Sequence, residues 1–481
     1  MRRHAPGQGP EGTTGQAMTP RNKKLLILGC IALACILFRL YHIEQPFSTN
    51  GIDEGIHLLQ AKMTGDGYGL YKDLNGDQAP LAILTFSLFE GAVLPARLLS
   101  VLLFAVATVA AGGIAWRMKN RQAGVLTVLL LSLDFTLLRE SRLASLDLFS
   151  AALLCIAALL FILYLERPRW ECAAVGGLLL SLSCLSKLMA APCILAFTAA
   201  AAWYAVKHRR MDHFVAYAVA GVLPIAAMLL LFSPDALLEG MLLRQMHRGS
   251  DWWTKASTLL FIGPGFVYLL ALRRWNLRDR RVAFMVLWLL SLLVFILVQG
   301  RTFQHHFAYV AFPAAVLAGV VLGDWPLDSR KMKAILGGFV AVNAVLMVSL
   351  VGTAPPDVSY EVADEVAAMT DGDAWVLSGN PLVNVLADRN TPPNLTNLAE
   401  YHYPPTTKSN ITYWLERGDV EVVVLYYHLA EMDGVTRYLN ESEHYEKATV
   451  ITGEGQILFE GLTPRFSTDR YVVYRATGNA T

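Results

Sequence analysis

The chain carries its apolar residues in blocks of roughly 15 to 21, separated by short charged segments. A helix needs about 20 residues to cross a hydrocarbon core about 30 Å thick. In that solvent each backbone N–H and C=O must be bonded within its own segment, so a block of this length crosses as a helix. Eleven blocks meet the requirement: residues 25–43, 97–116, 122–138, 145–165, 172–186, 188–206, 214–232, 256–272, 282–298, 307–322 and 334–352. Charged residues are scarce to match, at 16% of 481, where soluble domains carry about 25%. The expected fold is a polytopic α-helical membrane protein of eleven transmembrane helices.

Orientation follows from the basic residues, which stay in cytoplasmic loops. A further apolar stretch, residues 81–94, is short and interrupted by Glu90. If it does not span, segments 1–24, 117–121, 166–171, 207–213, 273–281 and 323–333 are cytoplasmic and hold 21 Lys and Arg. The longer outer segments before residue 353 hold about nine. If it did span, Arg117, Lys119 and Arg121 would move outside. Residues 81–94 are therefore expected in the outer interface as an amphipathic helix. An odd number of spans then puts the N-terminus in the cytoplasm and the C-terminus outside the cell membrane.

Three parts follow. Residues 1–24 are a Gly/Pro/Thr-rich cytoplasmic tail, expected to be disordered. Residues 25–352 are the membrane domain, with a long first outer loop at 44–96. Residues 353–481, opened by Pro355-Pro356, are an extracytoplasmic α/β domain. Helical spacing at 360–369 and strand-like runs at 374–378, 420–425 and 470–474 support it. The net charge of +1 points to no nucleic-acid partner. All six cysteines lie in spans or at their edges, so no disulfide framework is implied.

Ionisable groups then gather on one face, where charges at membrane depth tend to be functional. Asp53 and Glu54 stand in the first outer loop, and Tyr71, Asp73 and Asp77 follow. Arg142 and Asp147 flank one short outer turn, Lys187 sits between two spans, and Arg301, His305 and His306 lie in another turn. Each has a plain reading beside the functional one. Asp53 is the N-cap of a helix from 54 to about 64, or a general base; the two are compatible. Arg97 is a snorkelling arginine or the partner of Glu54. Arg142 and Asp147 stitch two helix ends or line a site, and Lys187 is an interfacial anchor or a phosphate ligand. Adjacent histidines on a helix point about 100° apart, unlike the i, i+4 pairs of zinc helices, so no metal site is expected and His305-His306 suit a phosphate better.

The order of motifs resembles a family. Ile52-Asp-Glu-Gly comes first, then Tyr71-Lys-Asp-Leu-Asn-Gly-Asp-Gln-Ala-Pro-Leu, Pro95-Ala-Arg-Leu-Leu-Ser, Arg142-Leu-Ala-Ser-Leu-Asp, Leu185-Ser-Lys, and His306 seven residues before Pro313. Over residues 25–325 this resembles the GT-C glycosyltransferases, in the branch of the protein O-mannosyltransferases and the lipid A aminoarabinose transferase. The resemblance implies a glycosyltransferase that moves a sugar from a polyprenyl-phosphate (dolichyl or undecaprenyl) donor to a lipid, glycan or protein acceptor outside the cytoplasm. It implies Asp53 as catalytic aspartate, Glu54 as second acid paired with Arg97, Asp147 as an acid on the opposite wall, and Tyr71 and Asp73 as the Tyr-x-Asp before the turn. The chain departs at that turn, where Gln78-Ala79-Pro80 replaces a lysine and two prolines. Phosphate binding then falls to Arg142, Lys187, Arg301, His305 and His306. No cofactor is implied, since no nucleotide diphosphate is released. Two other readings remain: a flippase or transporter of lipid-linked sugars, which would show paired repeats and midplane charges, and a glycan ligase or polymerase of related fold.

Overall fold

The computed structural model describes residues 19–45, 52–244, 263–273, 276–300, 302–347, 357–398, 406–454, 456–460, 463–467 and 469–478. Five described helices are long and apolar enough to cross a membrane: Val93–Met118, Leu146–Glu166, Met211–Leu231, Arg280–Val298 and Gln304–Leu322. Other apolar segments form α1 (Pro20–Leu37), α5 (Arg121–Leu133), α8 (Trp170–Ser186), α9 (Cys193–His208) and the Arg330–Met347 helix. Between these come α2 (Ile52–Gly65), α3 (Pro80–Ser87), α4 (Val93–Met118), α6 (Phe135–Glu140), α7 (Leu146–Glu166) and α10 (Met211–Leu231). Parts of the expected spans 256–272 and 334–352 lie outside the described residues.

Two boundaries differ from the expectation for physical reasons. The expected span 122–138 breaks at Asp134, whose backbone is extended (φ −62°, ψ 123°). Its Oδ1 accepts from Leu137 N at 2.9 Å, which caps α6, and its Oδ2 accepts from Tyr268 Oη at 2.8 Å. Local capping outcompetes continuation of the helix. The 81–94 stretch is helical only over the eight residues of α3, about 12 Å at 1.5 Å per residue. Glu90 and Gly91 then turn the chain with φ of 54° and 69° before α4 begins. Such a segment is too short to span.

Small residues let the apolar helices approach closely. A Cβ on Gly319 would lie 2.0 Å from Thr127 Oγ1, so the Phe307–Leu322 helix sits against α5 backbone to backbone. Contacts of this kind replace the hydrophobic drive that helices lack inside lipid.

The C-terminal residues form a four-stranded sheet, ordered β1 (Trp375–Ser378), β2 (Val420–Leu425), β6 (Arg470–Ala476), β3 (Tyr445–Thr452). β1 and β2 are parallel, and β6 is antiparallel to both β2 and β3. The strand-like runs expected at 374–378, 420–425 and 470–474 are β1, β2 and β6. β2 reads Val-Glu-Val-Val-Val-Leu because apolar side chains cover both faces. Val422 and Val424 pack with the Ser359–Met369 helix, while Val423 and Leu425 pack with Ile411, Leu415 and Leu439. A separate hairpin joins β4 (Gln456–Glu460) to β5 (Thr463–Ser467).

These C-terminal residues sit against the segment between α1 and α4. Gly55 of α2 meets the Pro381–Leu386 helix, and a Cβ there would lie 2.3 Å from Leu382 N. Thr396 Oγ1 donates to Asn75 Oδ1 at 2.8 Å, and Asn394 N donates to the Asp73 carbonyl at 3.0 Å. The helix carrying Asp53 and Glu54 is thus held between the membrane helices and the C-terminal residues.

Candidate active site

Helix α2 begins at Ile52, so Asp53 stands in the first helical turn and is not its N-cap. The capping reading is corrected accordingly; what remains of it is the favourable placement of an acid beside the helix N-terminus. Asp53 is exposed, while Glu54, one residue on, is 3% exposed. A 100° step around the helix separates a carboxylate that can reach solvent or substrate from one that cannot.

Glu54 is held by three hydrogen bonds from two residues. Arg97 donates from Nε to Oε1 and from Nη2 to Oε2, both at 2.8 Å. Ala144 N donates to Oε1 at 2.8 Å. Arg97 also donates to the carbonyls of Ile43 and Glu44, at 2.8 and 2.5 Å. A bidentate pair is the strong form of an arginine–carboxylate contact, and this one ties α2, α4 and the turn before α7 together. Of the two readings of Arg97, the ion pair is the one present.

Asp147 opens α7, whose N-cap Ser145 accepts from Leu148 N at 3.2 Å. Lys187 ends α8 in an extended conformation (φ −159°, ψ 135°). That break turns its ammonium onto Asp147, with Nζ to Oδ2 at 2.6 Å. The one-turn 3-10 helix Gln304–His306 brings His305 Nε2 to 3.8 Å from the same oxygen. His306 is set by its turn: Nδ1 accepts from Phe303 N at 3.3 Å and lies 3.0 Å from Gln299 Nε2. Asp147, Lys187, His305 and His306 therefore form one cluster. Arg301 lies outside the described residues.

Three residues expected at the phosphate or donor have other places. Arg142 is 1% exposed and donates to the backbone carbonyls of Arg39, Tyr41, His42 and Gln45. It pins the chain leaving α1, and Asp147 pairs with Lys187, not with Arg142. Tyr71 Oη donates to the Gln78 carbonyl, its ring stands edge-on to Phe232 at 5.3 Å, and its φ is 68°. Asp73 Oδ2 accepts from Gly69 N at 2.8 Å. Both residues shape the 69–78 loop, with Tyr71 Oη and Asp73 Oδ2 spent on its backbone.

One residue was not singled out by the sequence. His57 lies one turn after Asp53 on α2, at the i+4 spacing that puts two side chains on one face. It is 8% exposed and lies within electrostatic reach of Asp53, Lys187, Asp77 and Asp147. It links the Asp53 side of the site to the Asp147 cluster. Burial lowers its pKa below the ordinary imidazole value, as Lys187 does, and the three aspartates pull less strongly the other way. The folded state therefore holds it neutral. Its share of stability is present above the unfolded value of about 6.5 and is lost as pH falls through the lowered folded value. Thermal unfolding followed from pH 7.5 to pH 5.5 should show a shallower pH dependence in His57→Gln than in the natural chain. Identical slopes would mean that His57 is not a buried neutral group.

Residues 79–237 match the family described as Dolichyl-phosphate-mannose-protein mannosyltransferase. The match contains Arg97, Asp147 and Lys187, and starts after Asp53 and Glu54. Two solved structures of ArnT from Cupriavidus metallidurans, one apo and one bound to undecaprenyl phosphate, share the fold at a TM-score of 0.66 each. They are 12% and 13% identical, over 95% of this chain and 98% and 99% of theirs. The oligosaccharyltransferase AglB from Archaeoglobus fulgidus, solved with an inhibitory peptide and a dolichol-phosphate, is 12% identical at a TM-score of 0.50, over 93% of this chain and 74% of AglB. No curated protein matches the chain by sequence. The chain shares its fold with these membrane glycosyltransferases, and residues 79–237 match a mannosyltransferase family, so the class it resembles is that of integral multi-pass membrane glycosyltransferases.

Proposed function

We propose that the chain transfers a sugar from a polyprenyl-phosphate donor to a hydroxyl or amine acceptor on the extracytoplasmic face, with Asp53 as general base. The observation that carries this reading is the division of labour on α2: Glu54 is locked to Arg97, and Asp53 beside it is exposed on the side of the helix that shares His57 with the Asp147–Lys187 cluster. The structures of ArnT bound to undecaprenyl phosphate and of AglB in complex with a dolichol-phosphate support the donor class.

In the step proposed, Asp53 takes the acceptor's proton as the acceptor oxygen or nitrogen bonds to the anomeric carbon. The bond from that carbon to the phosphate oxygen breaks on the opposite face, so a single displacement inverts the centre. The leaving group is a polyprenyl phosphate monoester. Lys187, His305 and His306 are placed to stabilise its charge, and positioned cations or donors of this kind act most strongly out of water. Asp147 holds Lys187 in place until the phosphate competes for it. Eleven spans, a cytoplasmic N-terminus and an extracytoplasmic C-terminal domain from residue 353 belong to the same reading. So does a role for that domain in covering the site or recognising the acceptor, supported by its contact with α2 through Gly55 and Leu382.

The test uses Lys187→Met in nanodiscs, with a polyprenyl-phosphate sugar as donor. Apparent KM for the donor, measured on folded protein, should rise about tenfold or more, as expected for one charge-assisted bond worth about 1.5–3 kcal/mol, alongside a loss of thermal stability because Asp147 keeps its buried charge without Lys187. Unchanged donor dependence would remove Lys187 from the site.

A further inference from the structure

We propose that Asp147, His305 and His306 bind a divalent transition-metal ion, of which zinc suits the ligand set best. What the ion would do rests on the transferase reading above; whether it binds does not. One ligand atom from each of the three residues lies within 4.8 Å of the other two. The two imidazoles are 4.6 Å apart and nearly perpendicular, at 85°. Ligands about 2.0 Å from a tetrahedral zinc stand roughly 3.3 Å apart, so the cluster closes on an ion by side-chain movements of about an ångström.

A second, independent observation points to a cation ligand at this carboxylate. Asp147 is 4% exposed, and its Oδ1 is buried with no hydrogen-bond partner, whereas Oδ2 is held by Lys187. A buried carboxylate oxygen without a partner is costly. Lys187 satisfies one side of the carboxylate, and the histidines approach it from another chain segment. Two imidazoles and one carboxylate oxygen are borderline ligands that favour zinc over magnesium or calcium. Three protein ligands also leave a fourth position open, and a donor phosphate oxygen would fill it beside Lys187.

The neighbourhood of His306 fits the role. Its Nδ1 faces Gln299 and the Phe303 amide, so Nε2 is the atom that would take the ion. Nδ1 then carries the proton and donates to the Gln299 carbonyl oxygen once that amide turns over, at the expense of the long Phe303 bond. An outer partner on the second ring nitrogen is the usual way a metal-bound histidine is oriented.

The experiment needs neither donor nor transfer, so its failure and that of the transferase reading are separate events. The full chain, purified without a polyhistidine tag and stripped with a chelator, is titrated with Co(II) and followed by visible d–d absorption. We expect saturation at one equivalent per chain. His305→Gln and Asp147→Asn should each weaken binding about tenfold or more, with unfolding temperatures recorded for each. Lys187→Met removes a neighbouring positive charge and should bind at least as tightly as the natural chain. No saturable absorption, or the same affinity in His305→Gln and Asp147→Asn as in the natural chain, would overturn the site. A variant that fails to fold is replaced by His306→Gln, read in the same way.

Discussion

Asp53→Asn should lower transfer by about a hundredfold or more while donor binding and thermal stability stay near those of the natural chain. The change removes a proton acceptor and preserves size. A purely structural role for Asp53 predicts something else. In the first turn of α2 its charge contributes about 0.3–1 kcal/mol through the helix dipole, which alters stability slightly and turnover hardly at all. The measurement is transfer from a polyprenyl-phosphate sugar in detergent or nanodiscs, alongside a melting curve. Near-normal transfer by Asp53→Asn would end the assignment and move the search for a base to Asp147. The neighbouring carboxylate is the internal control. Glu54 carries the same functional group one residue away, yet its oxygens are occupied by Arg97 and Ala144 N.

Arg97→Ala should destabilise the fold by about 3–5 kcal/mol, because removing one partner of a buried pair leaves the other charge uncompensated. Arg97 is fully buried and the Glu54 side chain is 2% exposed, so water cannot take over. The loss extends beyond the pair, since the carbonyls of Ile43 and Glu44 lose their donor. Glu54→Gln should cost less: an amide keeps the volume and still accepts from Ala144 N. The double variant should cost less than the two single changes added together, the sign of direct coupling. Unfolding midpoints for the four chains form the cycle. An Arg97→Ala chain within about 1 kcal/mol of the natural one would show that the pair does not hold α2 to α4. Because Asp53 rides on α2, both changes should also lower transfer, but alongside stability, unlike Asp53→Asn.

How far the sequence carried differs from element to element. β2 was legible because a short β-branched run, broken only by Glu421, suits a strand covered on both faces. β3 was not, since its residues alternate imperfectly and only pairing with β6 defines it. The break at Asp134 went unread: a single acid in an apolar block does not declare whether it faces solvent or caps a new helix. Arg142 shows the same limit at the site. Its charge and position suggested a phosphate ligand, and only the path of residues 39–45 shows its guanidinium filled with carbonyls.

The membrane character of this chain was determined by its sequence alone, because the cost of burying a charge in hydrocarbon acts on each segment by itself and leaves its mark as apolar blocks and charged gaps. Asp53 and Glu54 were likewise legible as a motif, being adjacent in the chain. The meeting of Asp147 with Lys187, His305 and His306 was decided by tertiary structure. α7 and the Phe307–Leu322 helix are apolar on nearly every side, so no polar face records which helix is the neighbour of which. Their small residues and close packing settle it, and with it the geometry in which a carboxylate, an ammonium and two imidazoles share one space.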